Sequence, residues 1–212
     1  MTPRSEPVAQ ISMRIADRLT DQLAPGGWRP HRFVPDDVVA FVREPVRGVV
    51  FHLIANLAGR DGVLLSPSVG VELAAVAELQ KHLFGRAGTV CQVSASMADL
   101  VNDAEKPTVS FVRWRVSSPD QVDDVVAHLV ADQAAHGEPF LVRNQTLPTV
   151  IQTLLGQPKS QVEYATLAVC LAVSGDPPGA RAMLAKFASV PEVFGGDTTE
   201  TFIRNFTERF GN

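Results

Sequence analysis

Residues 49–71 read VVFHLIANLAGRDGVLLSPSVGV. Side chains along a strand alternate between two faces, so Val49, Phe51, Leu53, Ala55 and Leu57 form one wholly apolar face. Val50, His52, Ile54 and Asn56 form the other, which is half apolar and half polar. Gly59-Arg60-Asp61-Gly62 supplies a tight turn between two such strands. A strand that is greasy on one side and mixed on the other fits the middle of an antiparallel sheet.

Working outward, residues 1–7 lack periodicity and read as a loose arm. Val8, Ile11, Ile15, Leu19 and Leu23 recur at helical spacing, and Pro25-Gly26-Gly27 ends that helix. Trp28 and Phe33 are expected core anchors in a connector, and residues 38–43 (VVAFVR) a strand running through a turn into the central hairpin. After Val71 the period changes: Leu73, Val76, Leu79, Leu83 and Phe84 line a helix that Gly85 closes. Two further strands are expected at residues 89–97 and 108–117. Ser118-Pro119-Asp120-Gln121 is a helix start with a capping box, its inward residues being Val122, Val125, Val126, Leu129 and Val130. Gly137-Glu138-Pro139 is expected to break that helix, and another follows at residues 147–155.

Past Ser160 the pattern is helical throughout. Val162, Thr166, Val169 and Val173 suggest one stripe, Met183, Leu184 and Phe187 another, and Phe202, Phe206 and Phe210 a third at i, i+4, i+8. The order of elements predicts an α+β fold: an antiparallel sheet of five strands or so, covered on one face by helices, with a helical C-terminal part. Residues 8–157 would form the α+β domain, and residues 158–212 the helical part, packed on the same core.

A hydrophobic fraction of 45% and a charged fraction of 20% suit a globular protein with a proper core. The net charge of −4 offers no basic footprint for nucleic acid or anionic membrane. No apolar run approaches the roughly 20 residues of a membrane span, and the N-terminus has no signal-peptide core. Cys91 and Cys170 are too few for a disulfide framework, so a reducing cytoplasm is expected. Arginine far outnumbers lysine, a bias associated with GC-rich bacterial genomes.

Phosphate loops, dinucleotide fingerprints and nucleophile elbows are missing, and no histidine pair has metal-ligand spacing. Neither a metal nor a cofactor is expected. The best site candidate is the mixed face of the sheet. There His52 could stand beside Ser66, Ser68 or Asp61 as a general base with a nucleophile. Asn56, Gln92, Ser94, Arg113 and Arg115 could equally contact a partner, with Trp114 between the arginines as an anchor. Solvent faces of antiparallel sheets are commonly rich in Ser, Gln and Arg, so a plain surface explains the same residues. Asp36-Asp37 reads as a solvated turn, and Asp123-Asp124 as charge favoured in a first helical turn.

The run from Leu19 to Leu73, with LAPGGWRPHRF after an amphipathic helix and then VVFHLIANL and LLSPSVGVEL, is similar to small bacterial α+β domains of unknown function. Some of these are immunity proteins of polymorphic toxin systems. The similarity covers the first third to half of the chain, lies in hydrophobic pattern, and carries over no functional residue. It implies a non-enzymatic, immunity-like or accessory factor that binds another protein in the bacterial cytoplasm. A small hydrolase or transferase using His52 is the alternative. A structural subunit docking through its C-terminal helices is a further one, and would need the phenylalanine stripe exposed.

Overall fold

The alternation in residues 49–71 is realised as two adjacent strands of an antiparallel sheet. The computed structural model describes residues 6–31, 37–59, 62–85, 91–105, 114–156, 160–190 and 196–211. In chain order the first half holds α1 (Glu6–Leu23), β1 (Arg29–Pro30), β2 (Val38–Val46), β3 (Val49–Ala58), β4 (Val63–Leu73), α2 (Ala74–Phe84), β5 (Val93–Ser96) and α3 (Met97–Glu105). The second half holds β6 (Arg115–Val116), α4 (Val122–Asp132), α5 (Glu138–Arg143), α6 (Leu147–Gly156), α7 (Gln161–Val173), α8 (Pro177–Ser189) and α9 (Gly196–Phe210). The class is α+β.

The strand order is β1-β2-β3-β4-β5, with β6 also paired to β4. β1 meets β2 antiparallel at Arg29↔Val42 and Pro30↔Phe41, and β6 meets β4 antiparallel at Val63↔Val116 and Leu64↔Arg115. The Leu65 amide donates to the Trp114 carbonyl at 3.0 Å, and the Gln92 amide to the Val71 carbonyl at 2.9 Å. Both β4 residues are odd-numbered, so β5 and β6 flank the same edge of β4 at its two ends. Pro67 shares that edge, where its missing N–H is tolerated better than inside a continuous ladder. Gly62, with φ +141°, turns the chain into β4; a Cβ there would stand 2.6 Å from the Val116 carbonyl oxygen.

Two compact units make up the chain. One comprises residues 1–45, 51–70 and 94–142; the other comprises residues 46–50, 71–93 and 143–212. α2 belongs to the second unit together with the C-terminal helices.

In the first unit α1 buries Val8, Ile11, Ile15, Leu19 and Leu23, the residues its spacing selects, and packs on α4. Asp123 of α4 pairs with Arg14 at 3.0 Å and Arg18 at 2.8 Å. All three side chains are more than 40% exposed, so these pairs contribute little to stability. The capping box of Ser118 and Gln121 forms in both halves, on a 3₁₀ turn that leads into α4.

Two expectations are corrected in this unit. The strand expected to run through residue 97 stops at Ser96, whose hydroxyl accepts the Ala98 amide at 3.2 Å; residues 97–105, to which the sequence pattern assigned no element beyond Met97, are helical, with Met97 and Val101 buried one turn apart. The Gly137-Glu138-Pro139 segment does not break its helix either. α4 continues through a π-turn, Gln133–Gly137, into α5. The wider turn accommodates Pro139, which lacks an N–H and whose ring would crowd an ordinary helical turn. Gly137 permits the close approach, since a Cβ there would lie 3.1 Å from Met97 Sδ and 3.2 Å from Val69 Cγ1.

In the second unit α7 is central, packed by α2, α6 and α8. Every residue from Ala165 to Leu171 is buried, whereas Val173 is exposed, so the middle of α7 is enclosed on every side where a single stripe was expected. On α8, Phe187 is buried while Met183 and Leu184 are partly exposed. Phe202 of α9 stacks on Phe84 at 4.4 Å between centroids and lies 4.9 Å from Phe187 and 5.8 Å from Phe206. Phe202 and Phe206 are therefore core residues.

Candidate functional site

Along β3 and β4 every odd-numbered residue is buried, as the alternation requires of the core side. The even-numbered side is partly open. Asn56 and Ser66 are exposed, while Ile54, Leu64 and Ser68 are half-buried. Arg115 is exposed and sits opposite Leu64, which places it on the same side. Ser94 is exposed on β5. The Ser68 hydroxyl lies 3.4 Å from the Ile54 carbonyl and ties β4 to β3.

The remaining candidates fall elsewhere. His52 is only 4% exposed and meets the ring of His31 edge-on, with centroids 6.4 Å apart. Its imidazole is thus closed off on the strand that presents Asn56 to solvent, while Ser66 faces water. A general base must come within hydrogen-bond reach of a substrate proton, and an interior His52 offers little surface for that. Asp61, Arg113 and Asp36 lie outside the described residues.

Trp114 is 2% exposed and its Nε1 donates to Asp132 Oδ2 at 3.0 Å. A tryptophan fixed in the core by a buried carboxylate has no face to offer a partner, which corrects the expectation of an interface anchor. Gln92 is corrected too. It is 3% exposed, and its Oε1 accepts the Leu73 amide at 2.5 Å while its Nε2 donates to Gln80 Oε1 at 2.9 Å. Its role is to satisfy buried polar groups.

The thiols are held in the neutral form. Burial pushes both Cys91 and Cys170 up to about 12, with the nearby Glu72 carboxylate adding to the effect at Cys91. Neither is a nucleophile near neutral pH. Among the described residues no group of three or more His, Cys, Asp or Glu side chains could hold a metal ion. Among them also no helix is long and apolar enough to cross a membrane. In the second unit His82, Leu83, Asn205, Glu208 and Arg209 line a cleft of about 320 Å³. Asn205 Nδ2 donates there to the Leu83 carbonyl at 2.9 Å, near the C-terminus of α2.

One constellation had no signal in the sequence. Arg43 of β2 lies over the rings of Trp28 and Phe51 and pairs with Glu138, 95 residues away. No local spacing relates such residues; only the packing of α5 near the sheet does.

No protein family, no curated protein and no solved structure matches this chain. The open side of β3, β4 and β6 therefore stands on its own chemistry. It interleaves amide, hydroxyl and guanidinium groups with the aliphatic side chains of Ile54 and Leu64. Such a surface can give and take hydrogen bonds while excluding some water, as the rim and core of a protein interface do.

Proposed function

We propose that the protein is a non-enzymatic binding or accessory factor that engages another protein through the open side of its sheet. The observation that supports this is the exposure of Asn56, Ser66 and Arg115 around the half-buried Ile54 and Leu64, on strands whose other side is wholly buried. A rigid sheet carries such a surface with little ordering cost on binding. An immunity-like role in a bacterial cytoplasm is the finer form of the proposal, and the hydrophobic pattern of residues 19–73 is what favours it.

The two alternatives have less support. A hydrolase or transferase would need His52 to reach a substrate, and that ring is interior. A subunit docking through the phenylalanine stripe would need Phe202 and Phe206 at the surface, and they are in the core.

A photo-crosslinking residue at position 66, with one at the exposed Arg181 of α8 as control, tests the proposal in producing cells. A single protein adduct is expected from position 66, absent from position 181 and lost when Arg115→Glu is added. Equal or absent adducts at both positions would refute docking on this face. The His52→Ala variant would then be compared with the parent across hydrolase substrates.

A further inference from the structure

The helix that runs from α4 to α5 contains one wide turn, and the two ends of that turn are joined by side chains. Gln133 opens the π-turn and Glu138 follows its close. Gln133 Nε2 donates to Glu138 Oε2 at 3.3 Å. The other carboxylate oxygen, Oε1, accepts from Arg43 Nη2 of β2.

Arg43 is itself held on several sides. Its guanidinium carbon is 5.0 Å from the Trp28 ring centre and 5.3 Å from that of Phe51. Its Nη1 lies 3.4 Å from the Gly26 carbonyl, and its Nε is buried with no hydrogen-bond partner among the described residues. A guanidinium with ring faces beside it is poorly placed to exchange its carboxylate for water, which strengthens the pair relative to an open one. The side chains are 21% exposed for Arg43 and 32% for Glu138, against 42–48% for the Arg14–Asp123 pair of the same unit.

Proline alone does not account for this geometry. Pro139 disfavours an ordinary turn, but Gly-Glu-Pro more readily ends a helix than widens it. Phe140 and Leu141 seat α5 in the core by burial, and the wide turn before them is left to be fastened by other groups. The carboxylate is placed to do so. One oxygen closes the turn on itself and the other ties it to the sheet.

We infer that Glu138 is a latch: its two oxygens, on Gln133 and Arg43, keep the wide turn closed against the sheet, so that residues 133–142 open first when either contact is lost. The opening is local, because Val122, Val126 and Leu129 hold α4 in the core without help from Glu138. The latch is thus a conformational device at the end of the first unit.

Amide hydrogen exchange of the full chain, read by mass spectrometry, tests it. In Glu138→Gln and in Arg43→Met, amides 134–142 should exchange about tenfold faster or more, the scale of one lost charge-assisted hydrogen bond. Amides of α1 should exchange at the parent rate, and Asp123→Asn should leave residues 134–142 unchanged. If Arg43→Met does not fold, Arg43→Lys keeps the charge without the planar stack and should show a smaller acceleration in the same amides. Unchanged exchange at 134–142 would sink the inference. So would an equal acceleration in α1, since the carboxylate would then serve only overall stability.

Discussion

Gln92 Nε2 donates to Gln80 Oε1 at 2.9 Å, and both side chains are closed to solvent. The contact is one link of a chain. The Leu73 amide donates to Gln92, Gln80 Nε2 donates to Thr166 Oγ1 at 2.9 Å, and that hydroxyl donates to the Val162 carbonyl at 2.9 Å. Three elements of the second unit, β4, α2 and α7, are thereby joined with the residue before β5 through largely buried polar groups.

A chain of this kind is costly to interrupt and cheaper to remove whole. Gln80→Ala removes the acceptor of the Gln92 amide and the donor to the Thr166 hydroxyl, and the unfolding free energy should fall by about 1–3 kcal/mol in urea denaturation. Gln80→Leu combined with Gln92→Leu should cost less than the sum of the two single changes, because neither orphans the other. Strict additivity would show that the two side chains act independently.

Phe202 sets up a second comparison. It is fully buried among Phe84, Phe187 and Phe206, so Phe202→Ala should destabilise the protein by about 3–5 kcal/mol. Phe210 is partly exposed, and its alanine variant should cost distinctly less in the same denaturation series. Similar costs at both positions would mean that α9 is not seated through Phe202.

Cys170 yields a prediction in alkali. Burial raises its thiol from the ordinary 9.0 to about 12, while the unfolded chain titrates near the ordinary value. Below pH 9 both states keep the proton and the stability contribution is fully present. Between pH 9 and about 12 the unfolded state loses its proton first, so stability falls as pH rises. Denaturation at pH 8 and at pH 10 should therefore show a larger loss for the parent than for Cys170→Ala. Equal losses would mean that the thiol is not protected. Thiol reagents should also label Cys170 only after unfolding.

Several local features were legible before any packing was known. The α1 residues Val8, Ile11, Ile15, Leu19 and Leu23 share one face of any helix, and all are buried. The capping box at Ser118 depends on residues three positions apart and forms as read. Other features were hidden for definable reasons. Residues 97–105 carry few apolar side chains at helical spacing, with Met97 and Val101 buried one turn apart, too little period to mark a helix there. The π-turn before Pro139 runs against local preference, and the contacts that hold it come from residues 43, 97 and 69. The open sheet side was half legible: the alternation placed Asn56 and Ser66 correctly, but not His52, which the fold encloses.

What the sequence determined by itself is periodicity: which residues of each strand or helix share a side, and where turns interrupt them. That follows from covalent geometry, which repeats every two residues in a strand and every 3.6 in a helix whatever lies nearby. Tertiary structure alone decided which sides meet. It put Gln92 against Gln80, Trp114 against Asp132 and Arg43 against Glu138, and it buried the middle of α7 on every side. A polar or aromatic side chain acquires its role from partners far along the chain, and burial is a property of those partners, not of local spacing.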